Sequence, residues 1–341
     1  MNPQLLRSDG AKDDTRGPML TVVPVSGSAT SSVTRLVRTL GETSGFFLAG
    51  DIRKVWTRGA RDNRECGCGH AFLDCPFWRE VGEIAFGGWS RVDVQRVNHL
   101  VQEVHSLTGV TKLLVSGARD AAMARYGQYM NRLLAAISEL TGSRVILCSA
   151  KNPYQGWFLG RLADARVRWV HVVRDPRDTA WLWTVGKVEM KHDDWLPTST
   201  AGIVYKWGRY NLIPPVLSGI GNLGYLRIRL EDLTADPEST LAGVLRFIGA
   251  PKDLPEAIVE DHSLMMLDRD TTPCRLVEVD LRHQDEADVF ALPEAERWRQ
   301  GFPRAAQAAV SAATLPMMAA FGYRRRGQPH RDAAPRPSPG S

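Results

Sequence analysis

The stretch Leu20-Thr-Val-Val-Pro-Val-Ser-Gly-Ser-Ala-Thr-Ser-Ser-Val-Thr34 decides the fold of this chain. It begins with a short apolar run without clean alternation, which is typical of a strand buried on both faces of a parallel sheet. The Ser-rich loop Ser26 to Ser32 follows directly, and a helix is predicted to begin near Val33. Because a helix aims free N–H groups and its positive dipole end at the preceding loop, the pattern predicts an anion site there.

The side chains of this loop suit a phosphate ligand, since small residues allow close backbone approach and hydroxyls donate hydrogen bonds. The candidates are Gly27, Ser28, Ser31, Ser32 and Thr34. The loop lacks the Gly-Lys-Ser/Thr ending of a Walker A loop, which disfavours Mg²⁺-dependent nucleotide hydrolysis. The alternative interpretation is a Ser-rich turn with an ordinary helix cap.

A second candidate anchor lies in Val172-Val-Arg-Asp-Pro-Arg-Asp178. Arg174 comes immediately after a predicted strand, and a helix is predicted to begin at about Arg177. A guanidinium at this place can bind a phosphate through two parallel hydrogen bonds. Alternatively, Arg174 forms a salt bridge with Asp175 or Asp178 near the surface.

Strands and helices alternate along the rest of the chain. The clearest helical pattern has apolar residues three and four apart from Met123 to Leu140 and stops at Gly142, and another runs from Asp236 to Gly249. This alternation predicts a three-layer α/β/α fold with a central parallel sheet and a ligand site at the carboxyl ends of the strands. The further predicted strands are Arg144 to Cys148, Arg168 to Val173 and Tyr225 to Leu230.

Length and charge bound the organisation of the chain. We expect one domain over residues 19–323, between a disordered N-terminus, 1–18, and a disordered basic tail, 324–341. Arg324–Ser341 carries five arginines and one aspartate, which accounts for most of the net charge of +5. The body of the chain is therefore near neutral, which argues against a nucleic-acid surface and leaves room for a local basic cleft.

The chain has no run of 18 apolar residues, and charged residues such as Asp9, Lys12 and Asp13 stand where a secretory signal needs an apolar stretch. We expect a soluble cytoplasmic protein without a membrane segment. Five cysteines are odd in number and too few for a disulfide framework, so reduced thiols are expected. The sequence leaves the oligomeric state open.

Several short stretches, in order along the chain, carry a specific resemblance. Between about Leu20 and Tyr323 the chain resembles the actinobacterial sulfotransferase family, whose members use 3′-phosphoadenosine 5′-phosphosulfate. The resemblance implies a P-loop-like sulfotransferase fold with that nucleotide as cofactor. The matching stretches are Gly27 to Thr34, Leu48 to Trp56, Cys66 to His70 with Cys75 to Trp78, Ala85 to Trp89, Ser149 to Lys151, Arg174 to Arg177, Leu230 to Leu233 with Asp236-Pro237, and Leu315-Pro316 before Phe321 to Tyr323.

The first loop departs from the family pattern. In similar enzymes it usually reads Gly-x-Gly-Arg-Ser-Gly-Ser/Thr-Thr, and its Arg or Lys binds the 5′-phosphate. Thr30 occupies that position here, and Ala29 and Ser32 replace glycines, which is expected to narrow the phosphate cradle. Loss of such a cation costs on the order of several kcal/mol of transition-state stabilisation.

Three further cofactor-facing segments depart from the family pattern. The resemblance makes Arg174 the ligand of the 3′-phosphate, but Leu182 replaces the serine that shares it. His262 to Leu267 replaces the segment that closes over the nucleotide, with Arg269 as a substitute cation. Cys148 to Lys151 keeps Lys151, a candidate catalytic cation, and loses two polar groups. Departures concentrated on one ligand indicate a changed relationship with the cofactor.

A candidate general base is retained, since sulfuryl transfer requires deprotonation of the acceptor hydroxyl. Asp51 occupies the position at which similar enzymes carry a glutamate, one methylene longer. The alternative role is a loop carboxylate that pairs with Arg53 or Lys54.

A cysteine-rich segment contains Cys66, Cys68, His70 and Cys75. Thiolate and imidazole ligands suit zinc, but the Cys-x-Cys spacing is tight for one tetrahedral ion and no second Cys-x-x-Cys pair follows. Since the segment also resembles the family's Cys-Gly-Cys-Gly signature, we interpret it as a structural element without a metal.

Three functions are compatible with these residues. The nominal function is transfer of a sulfuryl group from the nucleotide to a hydroxyl or amine of a small molecule, in bacterial secondary metabolism such as antibiotic biosynthesis. A second is elimination, cyclisation or hydrolysis of a natural product without the nucleotide. A third is a non-catalytic binding subunit. The missing loop cation favours the last two, whereas Arg174, Asp51 and Lys151 favour a retained anion-dependent step.

The loop interpretation makes a direct prediction. The double substitution Thr30→Arg with Ser32→Gly restores the cation and the small residue of the family pattern, and is expected to raise the affinity for the nucleotide. Titration calorimetry with 3′-phosphoadenosine 5′-phosphate measures this. An unchanged affinity would show that these substitutions did not weaken the site.

Overall fold

A computed structural model describes residues 19–28, 33–41, 43–116, 121–189, 199–250 and 298–323. Five strands in these ranges form one sheet in which every pairing is parallel. The strand order is β2-β3-β1-β4-β5. The strands are β1 Leu20–Gly27, β2 Phe46–Gly50, β3 Val145–Ala150, β4 Ala165–Val173 and β5 Gly224–Arg229.

Helices connect the strands, as parallel pairing requires. The helices are α1 Val33–Gly41, α2 Pro76–Phe86, α3 Val94–Val104, α4 Leu107–Ser116, α5 Ala121–Thr141, α6 Gln155–Leu159, α7 Pro176–Glu189, α8 Thr200–Gly221, α9 Leu230–Ala235, α10 Pro237–Ile248, α11 Trp298–Gly301 and α12 Arg304–Ala320. Shorter turns of 3₁₀ or π type cover Ile52–Val55, Trp56–Arg61 and Trp89–Arg91. Within the described residues, no helix is both long and apolar enough to cross a membrane.

Two hydrophobic cores lie on opposite faces of the sheet. Successive strand residues alternate between them, since Trp169 belongs to one core and Val170 to the other. Helices α2, α3, α5 and α6 contribute to the first core, and α1 and α10 contribute Leu36 and Leu241 to the second. The predicted three-layer α/β/α architecture is therefore confirmed.

Most of the predicted elements are present, with small differences at their ends. The sheet contains one strand that the sequence did not indicate, β2, whose five buried residues are too few for a clear pattern. Helix α5 ends before Gly142, which has a φ of +68°, and Leu140 at its end is exposed although it was expected on the apolar face. Helix α10 begins as predicted, with the Asp236 carboxylate accepting a hydrogen bond from the Ser239 N–H.

Gly156 in α6 packs closely against Trp169 of the sheet, and its replacement tests this contact. A Cβ atom at this position would overlap the indole of the buried Trp169, whose Nε1–H donates to Ser26 Oγ at 2.8 Å. We expect Gly156→Ala to lower the free energy of unfolding by about 1–3 kcal/mol because of overpacking. Gly243→Ala in α10 is the matched control, since a Cβ there meets no atom within 4 Å.

Chemical denaturation of both variants measures these free energies. The control is expected to be neutral or stabilised by up to about 1 kcal/mol, because alanine favours helix more than glycine does. Equal stability of the two variants would contradict the packing of Gly156 against Trp169.

Candidate functional site

Four candidate residues lie at one edge of the sheet, each directly after a strand. Asp51 follows β2, Lys151 follows β3, Ser28 follows β1 and Arg174 follows β4. Since the strands are parallel and lie side by side in the order β2-β3-β1-β4, their carboxyl ends share this edge. The edge is the place at which open α/β sheets bind ligands.

The segment from β1 to α1, the first candidate anion site, has the predicted strand-to-helix order. Gly27 is the last residue of β1 and is paired in register with Val172 of β4. Ser28 follows and is buried, and α1 begins at Val33. Thr30, Ser31, Ser32 and Arg269 lie outside the described residues. Thr34 lies in α1, and its side chain is also outside the description.

Arg174 forms the ion pair that the alternative interpretation gave it, but in a different environment. Its Nε–H donates to Asp178 Oδ2 at 2.7 Å, and the two side chains are 5% and 1% exposed. The expectation of a pair near the surface is wrong, because α8 covers the segment and the Trp207 Nε1–H donates to the Arg174 carbonyl oxygen at 3.0 Å. In such a buried pair each charge depends on the other.

The carboxyl group of Asp178 is strongly desolvated. Burial raises the pKa of Asp178 to about 6, although the neighbouring Arg174 lowers it. Its Oδ1 atom has no hydrogen-bond partner among the described residues. An anion that binds Arg174 therefore competes with Asp178 for the guanidinium, or shares it.

A second ion pair lies beside the first. Arg177 donates to Asp175 through its backbone N–H at 2.8 Å and through Nε–H at 2.9 Å. The Arg177 guanidinium also lies over the ring of Trp298 at 4.5 Å. The turn into α7 therefore carries two arginine–aspartate pairs at neighbouring positions.

Asp51 is buried, and one of its carboxylate oxygens pairs with two cations. Its Oδ2 atom is 3.4 Å from Arg53 Nη2 and 3.8 Å from Lys54 Nζ, and its side chain is 1% exposed. The pairing proposed as the alternative role is thus present. Oδ1 has no hydrogen-bond partner in the described part of the chain, which leaves a buried acceptor atom.

His105 and Cys148, two titratable groups near Asp51, are held neutral. Burial, and to a smaller extent the charge of Arg53, lower the pKa of His105 to about 4. Burial and then the charge of Asp51 raise the pKa of the Cys148 thiol. His105 was not predicted from the sequence, because a single histidine in a helical pattern has no distinctive spacing.

Lys151 and Leu182 occupy the expected positions. Lys151 is half-buried directly after β3. Leu182 is buried in α7, one helical turn past Asp178, and supplies no hydroxyl for a phosphate.

Glu231, which lies two residues after β5, accepts hydrogen bonds from the segment after β4 and from Tyr323 after α12. Its Oε1 accepts a hydrogen bond from the Asp175 N–H and its Oε2 from the Tyr323 O–H, each at 2.8 Å. Burial raises the pKa of Glu231 to about 7, although both hydrogen bonds lower it. The sequence placed Glu231 and Tyr323 in matching stretches without assigning them this contact.

Solved structures similar to this chain are sulfotransferases. The sulfotransferase domain of the Synechococcus PCC 7002 olefin synthase is 18% identical, with 93% of this chain and 100% of that chain covered and a TM-score of 0.49. The sulfotransferase domain from the curacin biosynthetic pathway is 14% identical, with 87% and 98% covered and a TM-score of 0.46. A sulfotransferase from Alicyclobacillus acidocaldarius is 13% identical, with 89% and 96% covered and a TM-score of 0.40.

No protein-family model matches the chain, and no curated protein matches it significantly. TM-scores below 0.5 do not establish a shared fold by themselves. The three-layer architecture rests on the strand order and on the parallel register of the sheet.

The raised pKa of Glu231 predicts a pH dependence of stability. A carboxyl group whose pKa rises from 4.5 to about 7 on folding contributes stability that is complete below pH 4.5 and lost as the pH rises through 7. Gln cannot titrate, so Glu231→Gln removes this contribution. We expect the unfolding free energy of the wild type, relative to the variant, to fall by on the order of 3 kcal/mol over that interval.

Urea denaturation at a series of pH values measures the difference. Glu80→Gln, at an exposed position of α2, is the matched control and is expected to follow the wild-type profile. If the difference in unfolding free energy between the wild type and Glu231→Gln does not change with pH, the pKa of Glu231 is not raised in the folded protein.

Proposed function

We propose that this chain is a sulfotransferase that moves a sulfuryl group from 3′-phosphoadenosine 5′-phosphosulfate to a hydroxyl or amine of a small molecule. The observation that carries the proposal is the position of Ser28, Arg174, Lys151 and Asp51 directly after four neighbouring parallel strands. Two of these residues would belong to anion-binding elements, and two would assist proton and charge transfer. The resemblance of the sequence motifs supports the same function.

The residues at the carboxyl ends of β1 and β4 suit the nucleotide phosphates. Gly27, Ser28 and the amino end of α1 would hold one phosphate, and Arg174 would hold the other. Neighbouring strands lie about 4.8 Å apart, a span that a nucleotide with phosphates on both sides of its ribose can cover. Because a guanidinium has five N–H donors, the bond from Arg174 Nε to Asp178 is compatible with a phosphate contact.

The residues at the carboxyl ends of β2 and β3 would bind the acceptor. When bound, the nucleotide supplies the activated sulfuryl group. Asp51 lies after the edge strand β2, and its Oδ1 atom would accept the acceptor's proton while Arg53 and Lys54 orient the carboxylate through Oδ2. Lys151, between Asp51 and Ser28 in the strand order, would stabilise negative charge as it develops.

The proposal extends to the setting of the reaction. Residues 19–323 would form a single catalytic domain. The acceptor would be a natural product of bacterial secondary metabolism, and the enzyme would act in the cytoplasm. These assignments follow from the family resemblance of the sequence.

Nucleotide binding is the property to test first, because it precedes every form of sulfuryl transfer from this donor. We expect 3′-phosphoadenosine 5′-phosphate to bind the wild type in calorimetric titration, and Arg174→Ala to weaken binding by about 10- to 100-fold through loss of a charge-assisted contact. Arg166→Ala is the matched control, since Arg166 lies near the start of the same strand and is exposed. It is expected to bind as the wild type does.

Removal of Arg174 leaves Asp178 as a buried, unpaired carboxylate, so the folding of the variant is checked by thermal denaturation. Arg174→Ala combined with Asp178→Asn removes both charges and is expected to fold yet still bind weakly. Equal affinity of this double variant and the wild type would exclude Arg174 as the phosphate ligand. A wild type that does not bind at millimolar nucleotide would overturn the proposed function.

A further inference from the structure

Four potential metal ligands meet in the loop between the turn at Trp56–Arg61 and helix α2. The Sγ atoms of Cys66, Cys68 and Cys75 all lie within 4.8 Å of one another, and those of Cys68 and Cys75 are 3.6 Å apart. His70 Nδ1 is 3.5 Å from Cys68 Sγ. None of these four residues is among those assigned to sulfuryl transfer.

Two separations in this group match edges of a zinc coordination tetrahedron. With Zn–S bonds of about 2.3 Å and Zn–N bonds of about 2.0–2.1 Å, the tetrahedral angle places two sulfurs about 3.8 Å apart and a sulfur and a nitrogen about 3.5 Å apart. The pair of sulfurs at 3.6 Å and the sulfur–nitrogen pair at 3.5 Å have these separations.

The backbone explains how a tight Cys-x-Cys spacing can supply two ligands. The Cys66 N–H donates to the His70 carbonyl oxygen at 2.7 Å, and the Gly69 N–H donates to the Cys66 carbonyl oxygen at 2.9 Å. Gly69 has a φ of +88°, in the region that favours glycine. The resulting turn brings Cys68 and His70 together, and the chain then continues to Cys75 at the start of α2.

The environment of the cluster favours a cation. Cys66 and Cys75 are buried, whereas Cys68 and His70 are exposed, so the ligands lie at the boundary between the core and solvent. Coordination to a divalent metal stabilises the thiolate form of cysteine ligands.

We propose that Cys66, Cys68, Cys75 and His70 Nδ1 bind one Zn²⁺ ion as a closed structural site. Binding forms three Zn–S bonds and one Zn–N bond, and the three cysteine thiols release their protons to solvent. The proposal differs from the metal-free structural element expected from the sequence, because the turn at Gly69 would let His70 complete a set of ligands that the cysteines alone do not.

The metal would fix a loop on which the aromatic core depends. Phe72, between His70 and Cys75, stacks on Trp78 with ring centroids 5.1 Å apart, and both rings are fully buried. The same loop connects the segment after Asp51 to α2. Zinc would therefore stabilise the fold without taking part in sulfuryl transfer, and its presence is independent of nucleotide binding.

Metal analysis of the purified full-length protein tests the site. After incubation with Zn²⁺ and removal of excess metal, mass spectrometry for zinc is expected to give about one ion per wild-type chain. Cys68→Ser and His70→Ala each remove an exposed ligand, so both variants are expected to fold while their zinc affinity falls at least about tenfold. Cys148→Ser and His99→Ala are matched controls outside the cluster and are expected to retain zinc.

Two further readouts distinguish a coordination site from adventitious binding. Co²⁺ in place of Zn²⁺ is expected to give the visible absorption of a tetrahedral thiolate site, which Cys68→Ser and His70→Ala lose and the controls keep. A chelator is expected to lower the Tm of the wild type by at least about 5 °C and to leave that of Cys68→Ser unchanged. Less than a tenth of an equivalent of zinc, a disulfide between Cys68 and Cys75, or equal zinc affinity in His70→Ala would each overturn the proposal.

Discussion

The parallel pairing of β1 with β3 on one side and β4 on the other is the constraint on which the structure depends. Each pairing fixes the register of a neighbouring strand, and therefore the position at which that strand ends. Because Gly27, Ala150 and Val173 end their strands at one edge, the residues that follow them are neighbours although they are far apart in sequence. The two cores then fill the faces of this sheet with the alternating side chains of the same strands.

Burial of charge is the main energetic cost at that edge. Arg174 with Asp178, and Asp51 with Arg53 and Lys54, are ionic groups largely removed from water. Such groups add little to stability relative to apolar packing, but removal of one partner is expensive for the other. A site of this kind therefore adds little to the stability of the fold, and a substitution that removes one charged partner lowers that stability. Hydrogen bonds such as those to Glu231 fix the backbone around the site.

The cysteine loop solves a different physical problem. The segment between Asp51 and α2 consists of short turns with no long helix or strand, yet Phe72 and Trp78 must enter the core in one arrangement. Four ligands on one ion would order this loop by local bonds, where a longer helix or strand would otherwise be needed. The turn at Gly69 places the ligands, and buried aromatic rings anchor the loop beneath them.

The sequence by itself determined the alternation of strands and helices, the strand-to-helix turns at Ser28 and Arg174, and the helix caps at Asp236 and Gly142, because these depend on patterns within a few residues. It did not indicate β2, whose five residues are too short for a pattern. Only the tertiary structure decided that Arg174 pairs with Asp178 in the interior, that Asp51 pairs with two cations while buried, and that three cysteine sulfurs lie within 4.8 Å of one another. Those outcomes depend on burial and on contacts between segments, which spacing along a chain does not contain.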